Sequence, residues 1–248
     1  MMIDLQGVDV DIPVFLNEYA KSARTALVNG LTGGRLAGGR GNRVTVKALR
    51  GVNLRIEQGQ RVGLVGRNGA GKTTLLRAVA GIIPTSGGTV SVNGEVRSFF
   101  NLYAGLDTTQ SGKANIVPMS LYYTRDFDRI RATVGEIIDF ADIGDFIHLP
   151  VYTYSAGMQA RLLVAIATAY GGDILVFDEV LAAGDANFMA KVEKRFLSMR
   201  GAASCMLLAT HSVGLMSRIC NRVVWLDQGT VKMDGPTDAV IPAFIDSM

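Results

Sequence analysis

The sequence predicts an α/β fold in which a mostly parallel sheet carries helices on its faces. Short apolar segments typical of buried strands are followed by helical stretches, a glycine-rich loop joins a strand to a helix, and a mainly helical stretch separates two such regions. This alternation is typical of parallel sheets, because a helix usually connects parallel strands. The expected strands span residues 52–56, 61–65, 89–92, 96–100, 174–177, 205–209 and 222–226, and the mainly helical stretch spans residues 102–170.

The N-terminal part of the chain is expected to differ from the rest. A strand is expected over residues 3–10, and Pro13 is expected to break it. Apolar residues at helical spacing over 14–29 predict an amphipathic helix. Residues 30–41 contain six glycines and two arginines, which favours a flexible connector over a mobile basic loop near phosphates or a membrane.

The segments between and after the strands carry their own signals. A helix is expected over 74–80, directly after the glycine-rich loop. The Asn93-Gly94 pair predicts a hairpin between the strands on either side of it. Near the C-terminus we expect a last hairpin arm over 229–233 and a helix over 236–245.

Composition excludes several classes of protein. The chain has 248 residues with 25 Lys and Arg against 22 Asp and Glu, and its net charge of +3 gives no strong case for a nucleic-acid partner. No run approaches the roughly 20 apolar residues that cross a bilayer. The acidic N-terminus, with no basic residue before Lys21, is not typical of a secretory signal. Cys205 and Cys220 form no disulfide framework or metal-ligand pattern, which fits a reducing cytoplasm.

A phosphate-binding loop is the strongest motif in the chain. The spacing G-x-x-x-x-G-K-[ST] lies between an expected strand and an expected helix. Glycines let successive backbone N–H groups curl round a phosphate, and the helix N-terminus adds a favourable dipole. Lys72 would reach the β- and γ-phosphates of a nucleotide, and the Thr73 hydroxyl would ligate Mg²⁺. The motif consists of Gly66, Arg67, Asn68, Gly69, Ala70, Gly71, Lys72 and Thr73, and Thr74 follows it.

Two carboxylates follow a buried strand further along the chain. Residues 174–177 are apolar, and Asp178 and Glu179 come directly after them. Such a strand delivers both side chains to the carboxyl edge of the sheet, where ligands bind in these folds. Asp178 is expected to bind Mg²⁺ directly or through water, and Glu179 is expected to act as the general base for an attacking water.

A third motif resembles that of a known family. The run Y-S-A-G-M-Q-A-R begins at Tyr154 and precedes an apolar helix, and it resembles the signature motif of ATP-binding cassette (ABC) proteins. The run from Asp178 to Phe188 is similar to the D-E-V-L-A-V-G-D-A-x-F run of ABC subunits that export polysaccharides such as O-antigen, capsule and teichoic acid. His211 matches the switch histidine of the family. Gly105, Gly112, Asn115 and Ile116 also fall in register with this group.

The resemblance covers residues 3–241 and implies the fold in more detail. It implies a P-loop NTPase (RecA-like) core with an antiparallel β subdomain and a helical subdomain, which together form an ABC cassette. The expected organisation is an N-terminal strand, helix and glycine-rich loop over 1–43, an ATP-binding core over 44–101 and 171–248, and a helical subdomain with the signature over 102–170.

The resemblance also implies a site shared between two copies of the chain. Each ATP is expected to lie between the phosphate loop of one copy and the signature of the other, so a homodimer with two equivalent sites follows. His211 would contact the γ-phosphate and hold the attacking water, and Asp185 would couple the two sites. The expected nucleotide-binding residues are Gly66, Arg67, Asn68, Gly69, Ala70, Gly71, Lys72, Thr73, Thr74, Ser155, Ala156, Gly157 and Asp185; those expected to hold Mg²⁺ are Thr73, Asp178 and Asn101; and the catalytic residues are Glu179 and His211.

Two positions depart from the family pattern. Asn101 follows the strand after which the family carries Gln, or Glu in many exporters, so its contact with Mg²⁺ or water is open, and Gln110 is the alternative. No aromatic residue lies over 44–47, where many family members stack the adenine base. Either base stacking is weak or Phe15 or Tyr19 supplies it.

The function that the resemblance implies is an ATPase that powers export of an O-antigen-like polysaccharide across the cytoplasmic membrane. The cargo would pass through a separate integral-membrane permease, with the chain cytoplasmic and peripheral to the inner face of the membrane. Tyr122, Tyr123 and Phe127 are candidate permease contacts, with simple core packing as the equal alternative. The competing function is a soluble ABC ATPase of DNA repair or translation, and the intact motifs argue against a non-hydrolysing regulator.

Overall fold

The computed structural model describes residues 1–15, 36–38, 43–178, 186–199, 205–210 and 212–247. The strands are β1 (Ile3–Phe15), β2 (Leu36–Gly38), β3 (Arg43–Ile56), β4 (Arg61–Val65), β5 (Gly87–Val92), β6 (Val96–Phe99), β7 (Ile174–Asp178), β8 (Cys205–Ala209), β9 (Arg222–Asp227) and β10 (Thr230–Pro236). The helices are α1 (Lys72–Val79), α2 (Gly112–Ser120), α3 (Phe127–Ala141), α4 (Ala156–Thr168), α5 (Ala186–Met199), α6 (Val213–Ile219) and α7 (Thr237–Ile245), with 3-10 helices at Gly144–His148 and Val151–Thr153. The chain forms two compact units, Met1–Gly94 with Leu207–Met248 and Glu95–Met206.

An antiparallel sheet of order β2-β3-β1-β5 forms part of the first unit. The prediction that the first strand stops before Pro13 is wrong, because β1 continues to Phe15. Pro13 is accepted there because β5 pairs with β1 only as far as Asp9, so that among the described strands only β3 pairs with the far end of β1. A proline that lacks the N–H donor is tolerated where one side of a strand is unpaired.

The structure also corrects the predictions that follow Pro13. The expected helix over 14–29 is wrong at its start, since residues 14 and 15 belong to β1, and residues 16–29 lie outside the described part of the chain. Within the expected connector over 30–41, Leu36–Gly38 forms β2 and pairs with β3. The remaining residues of that connector are also outside the described part.

The phosphate-binding loop follows β4, one strand of a parallel pair in the first unit. β4 pairs in parallel with β9, and β10 pairs with β9 in the antiparallel direction. Val62 and Leu64 are fully buried in β4, and Val224 and Leu226 are fully buried in β9. Strands covered on both faces carry such continuous apolar runs. The expected strands at 61–65 and 222–226, the last hairpin arm and the C-terminal helix are confirmed.

In the second unit a stack of aromatic rings fixes the parallel pair β6 and β7. Phe99 lies opposite Phe177 in the pairing, and their rings stack with centroids 4.4 Å apart. Phe196 of α5 meets the Phe177 ring edge-on at 4.6 Å, and the ring of Tyr123 stacks with that of Phe99 at 5.7 Å. Offset stacking and edge-on contacts are the favourable geometries for aromatic pairs.

The hairpin predicted around Asn93 and Gly94 is wrong. β5 pairs with β1 in the antiparallel sheet, whereas β6 pairs with β7 in the parallel direction. The two strands that flank the Asn-Gly pair therefore belong to different pairings. Pairing with strands distant in the sequence has overridden the local turn signal, as tertiary context commonly does for strands.

Polar side chains cap and connect the helices of the second unit. Ser111, Asp126 and Ser155 accept hydrogen bonds from backbone N–H groups at the starts of α2, α3 and α4. Arg195 of α5 forms an ion pair with Glu136 of α3 and donates to the Thr168 hydroxyl of α4 at 3.2 Å. This guanidinium ties three helices together and lies over the Phe140 ring, 3.7 Å from its centroid.

Among the described helices, none has the length and apolar character needed to cross a bilayer. The division of the sequence into an N-terminal segment over 1–43, an ATP-binding core over 44–101 and 171–248, and a helical subdomain over 102–170 stays a prediction.

The aromatic stack predicts that truncation of Phe99 destabilises the second unit. Phe99→Ala should lower the free energy of unfolding by about 3–5 kcal/mol, because it removes a buried ring and leaves a cavity beside Phe177. Phe127→Ala is the matched control, since Phe127 is 54% exposed, and it should cost less than about 1 kcal/mol. Denaturant titration of both variants measures the difference, and equal losses would contradict the role of the stack.

Candidate functional site

The phosphate-binding loop connects β4 to α1 and takes its shape from glycines with positive φ. Gly66 has φ of 149°, Gly69 has 76°, and Gly71, the N-cap of α1, has 110°. A Cβ at Gly66 would lie 2.3 Å from the carbonyl oxygen of Leu226. A Cβ at Gly71 would lie 2.9 Å from the carbonyl oxygen of Ala48. Neither position accepts a side chain without moving the neighbouring backbone.

Two other backbone segments support the loop, one by a direct hydrogen bond and the other by bonding to the first. Gly229, in the turn between β9 and β10, donates its N–H to the Ala70 carbonyl at 2.9 Å. Arg50 of β3 donates its backbone N–H to the Gly229 carbonyl at 2.8 Å, and its guanidinium donates to the Gln228 carbonyl at 2.9 Å. The loop is therefore built into the unit on its inner side by backbone hydrogen bonds.

Lys72 begins α1 and turns its ammonium group back onto the loop. Its Nζ donates to the Gly66 carbonyl at 2.7 Å and to the Arg67 carbonyl at 3.3 Å, and the residue is only 8% exposed. No acidic residue lies in the first turn of α1. A positive side chain and an uncompensated helix N-terminus together favour an anion at this place. Thr73 and Thr74 are half-buried in the same turn.

The carboxylate after the buried strand lies in the second unit. The apolar residues 174–177 of β7 are fully buried, and Asp178 ends the strand half-buried. Its Oδ1 atom is buried and has no hydrogen-bond partner among the residues that the structure describes. A buried carboxylate oxygen without a donor fits an Mg²⁺ ion or its water, since Mg²⁺ is usually held by one or two carboxylates together with substrate phosphates.

The signature motif forms the exposed start of α4, also in the second unit. Ser155 is the N-cap, and its Oγ accepts a hydrogen bond from the Met158 N–H at 3.2 Å. Ser155 and Ala156 are exposed, and a Cβ built on Gly157 would meet nothing closer than the Ser155 Oγ at 3.9 Å. No acidic residue lies in the first turn of this helix. The helix start is therefore open to an approaching anion.

Tyr154, the first residue of the signature, is buried and bonded on both sides of its hydroxyl. The hydroxyl donates to the Phe146 carbonyl at 2.6 Å and accepts from the Gly112 N–H at 3.2 Å. Burial raises the pKa of this phenol, and the hydrogen bond from Gly112 opposes the rise. Tyr154 therefore stays neutral and able to donate around neutral pH.

The other predicted site residues fall into two groups. Asn101 lies two residues beyond the end of β6 and is exposed, with its Oδ1 accepting from the Tyr103 N–H at 3.2 Å. Gln110 is exposed in the turn before α2. Glu179, Asp185, His211 and Tyr19 lie outside the described part of the chain, so their expected roles stay predictions. Phe15 ends β1, and the role expected of its side chain also stays a prediction.

Of the three candidate permease contacts, one is half-buried and packs against other aromatic rings. The ring of Tyr123 stacks between Phe99 and Tyr170, which corresponds to the packing alternative, and burial raises its pKa to about 12. Tyr122 is 65% exposed and Phe127 is 54% exposed. These two side chains are available on the surface of the second unit.

Sequence reasoning missed the residues that hold the loop. Ala48, Arg50 and Gly229 carry no motif, and their role lies in backbone atoms brought close by β3 and by the β9–β10 turn. The Gln228-Gly229 pair signals a turn but not its contact with Ala70. The hydrogen bonds of Tyr154 were missed as well, because a tyrosine in a motif gives no indication of where its hydroxyl is bonded.

The comparisons with known proteins agree on one family. The sequence profile of the family described as ABC transporter matches residues 49–182. The O-antigen export system ATP-binding protein RfbE of Yersinia enterocolitica is 40% identical over 226 residues, which cover 91% of this chain and 94% of that protein. The ATP-binding protein RfbB of the Myxococcus xanthus O-antigen export system is 37% identical over 82% of this chain.

Other relatives are longer than this chain. The teichoic acids export ATP-binding protein TagH of Enterococcus faecalis is 36% identical over 81% of this chain but over 44% of its own length. The corresponding share of the Myxococcus xanthus protein is 46%, so the chain spans less than half of these two relatives. Among solved structures, a dimeric ATP-binding cassette in a post-hydrolysis state with ADP and Pi superimposes with a TM-score of 0.72 and 18% identity, over 95% of this chain and 99% of that one. This likeness shows the fold.

The geometry of Lys72 predicts the cost of removing its ammonium group. Lys72→Ala should lower the affinity for ATP by a factor on the order of 10 to 100, because a hydrogen bond to a charged group contributes about 1.5–3 kcal/mol. Lys113→Ala removes an exposed lysine from α2 and should leave the affinity unchanged. Calorimetric titration with ATP measures both, and full binding by the Lys72 variant would contradict the role of the loop.

Proposed function

Because the chain belongs to the ABC transporter family and carries its ATP-binding domain, we propose that it is the ATP-hydrolysing subunit that powers export of a cell-surface polysaccharide through a separate permease. The observation that carries this proposal is the 40% identity to an O-antigen export ATP-binding protein over nearly the full length of both chains. Relatives named for O-antigen and teichoic acid export support transport over a soluble ABC ATPase of DNA repair or translation.

The ATP would be held first by the phosphate loop. The backbone N–H groups between Gly66 and Lys72 and the positive end of α1 would surround the phosphates, with the Lys72 ammonium on the β- and γ-oxygens. Thr73 and Asp178 would hold Mg²⁺, with Asn101 or Gln110 as a further ligand. When bound, this ion neutralises charge that develops on the phosphoryl oxygens.

The hydrolytic step would depend on two residues beyond the loop. Glu179 would accept a proton from a water that attacks the γ-phosphorus, while the bond to the ADP oxygen breaks. His211 would orient that water and contact the γ-phosphate. The exposed start of α4 supports a complementary role for Ser155 and Gly157, in which they approach the γ-phosphate of an ATP held by a second copy.

The partners that we propose follow from this arrangement. A homodimer would complete two equivalent sites, with Asp185 coupling them, and its closure and opening would drive an integral-membrane permease. Tyr122 and Phe127 are exposed and would serve as permease contacts. The chain would lie in the cytoplasm, peripheral to the inner face of the membrane, and bind no nucleic acid, while the polysaccharide passes through the permease.

Export in cells tests this proposal. Cells that lack the gene should keep the polysaccharide on the cytoplasmic side, and the wild-type gene should restore it to the surface. Glu179→Gln should fail to restore it and should lower ATP turnover by a factor on the order of 10² or more, because the general base is lost. Glu57→Gln changes an exposed carboxylate that pairs with the N-terminus and should behave as wild type.

Two results would contradict the proposal. Surface polysaccharide that is unchanged after gene deletion would overturn the export function. Unchanged ATP hydrolysis by the Glu179→Gln protein would overturn the assignment of the general base.

A further inference from the structure

We infer that Tyr154 is a positioning residue whose hydroxyl ties the signature to the segment over 108–112, so that this segment sets the orientation of the Ser155 helix start. The inference rests on the proposed function, because it concerns the part of the chain that would reach the ATP of a second copy. Tyr154 itself would touch no nucleotide. It acts through the residue that follows it.

The segment before α2 runs antiparallel to the segment that leads into the signature. Ser111 forms a β-bridge with Pro150. On one side of it, the Val151 N–H donates to the Gln110 carbonyl and the Tyr152 N–H donates to the Thr108 carbonyl, both at 2.9 Å. These backbone bonds align the two segments up to residue 152. The Thr153 and Tyr154 N–H groups donate to the Pro150 and Val151 carbonyls of their own segment, so among the described residues the backbone forms no further bond to the segment before α2 after residue 152.

The Tyr154 hydroxyl supplies the contact that completes this alignment. It accepts from the Gly112 N–H, at the first residue of α2, and donates to the Phe146 carbonyl in the first 3-10 helix. The residue is 6% exposed, so water does not readily replace either bond. Because neighbouring Cα atoms are held about 3.8 Å apart by a planar peptide, fixing Tyr154 also fixes where Ser155 begins α4.

At the Gly112 end of this link there is no space for a side chain. A Cβ built on Gly112 would lie 2.3 Å from the Tyr154 hydroxyl, so no other residue fits at the start of α2 while the bond exists. Asn115, which is buried, accepts from the Asp107 N–H at 2.8 Å and donates to the Asp107 and Ser111 carbonyls. The segment that receives Tyr154 is thus held on both of its flanks.

A pair of identical substitutions two residues apart tests the inference. Tyr154→Phe removes only the hydroxyl, whereas Tyr152→Phe removes the hydroxyl of a side chain that is 68% exposed. Both are made in full-length protein that also carries Glu179→Gln, and ATP-dependent dimer formation is followed by analytical ultracentrifugation. We expect Tyr154→Phe to weaken ATP-dependent dimerisation by a factor of about 3 to 10, the range typical of a lost hydrogen bond, because the Gly112 N–H and the Phe146 carbonyl each keep a second bond, to the carbonyl and the N–H of Leu149.

A second readout separates positioning from loss of structure. ATP affinity of the monomer, measured by calorimetry with protein dilute enough to stay monomeric, should be the same for Tyr154→Phe as for Tyr152→Phe, because the phosphate loop lies in the other unit. In the background with intact Glu179, kcat should fall while the KM for ATP changes little. A structural defect that extends beyond the second unit would change monomer affinity and thermal stability together.

Gly112→Ala provides an independent variant, because its Cβ would displace the Tyr154 hydroxyl. Combined with Tyr154→Phe, it should weaken dimerisation no further than either substitution alone, since both break the same link.

Three outcomes would overturn the inference. Dimerisation by Tyr154→Phe that equals Tyr152→Phe would show that the hydroxyl positions nothing, and additive losses in the double variant would show that the two residues act separately. Absence of an ATP-dependent dimer in the Glu179→Gln parent would overturn the inference together with the proposed dimeric ATPase. A parent that dimerises leaves the proposed function intact whichever way the tyrosine comparison turns out.

Discussion

The site depends on one steric constraint, the close approach of three backbone segments around the phosphate loop. The loop, strand β3 and the β9–β10 turn meet where Gly71, Ala48 and Gly229 lie side by side. A Cβ on Gly229 would come within 2.6 Å of the Ala48 carbonyl oxygen, so the segments can meet only without side chains between them. The buried face of the loop is held by hydrogen bonds, and its other face can present N–H groups and Lys72 to an anion.

A loop built in this way needs little reorganisation when it binds a phosphate. Ordering the glycines costs conformational entropy, and hydrogen bonds from Gly229 and Arg50 offset this loss during folding. The signature in the second unit is likewise ordered before any ligand binds. The Ser155 hydroxyl caps the helix start, and the first turn carries no acidic residue. The first unit thus presents the positive end of α1 and the second unit that of α4, and the proposed dimer brings together these ends from two different copies.

Much of this architecture could be predicted from the sequence, and the failures have physical causes. The loop, the apolar strands at 61–65 and 174–177 and the capped helix at Ser155 were predicted because their signals are local. Pairing was not, because the partner of β5 is β1, more than 70 residues away, and Asn93-Gly94 says nothing about distant strands. The continuation of β1 past Pro13 likewise depends on which neighbours flank it.

We propose that each ATP is shared between the phosphate loop of one copy and the signature of another, and the dimeric mechanism depends on this arrangement. A chain that carries Asn68→Cys, Ala156→Cys and Glu179→Gln, treated with a short thiol cross-linker, tests it directly. The native cysteines should not react, because both are buried, and burial raises the pKa of Cys205 to about 11 and of Cys220 to about 12. A covalent dimer should form with ATP and not without it, whereas cross-links confined to single chains, or dimers formed equally without ATP, would contradict the shared site.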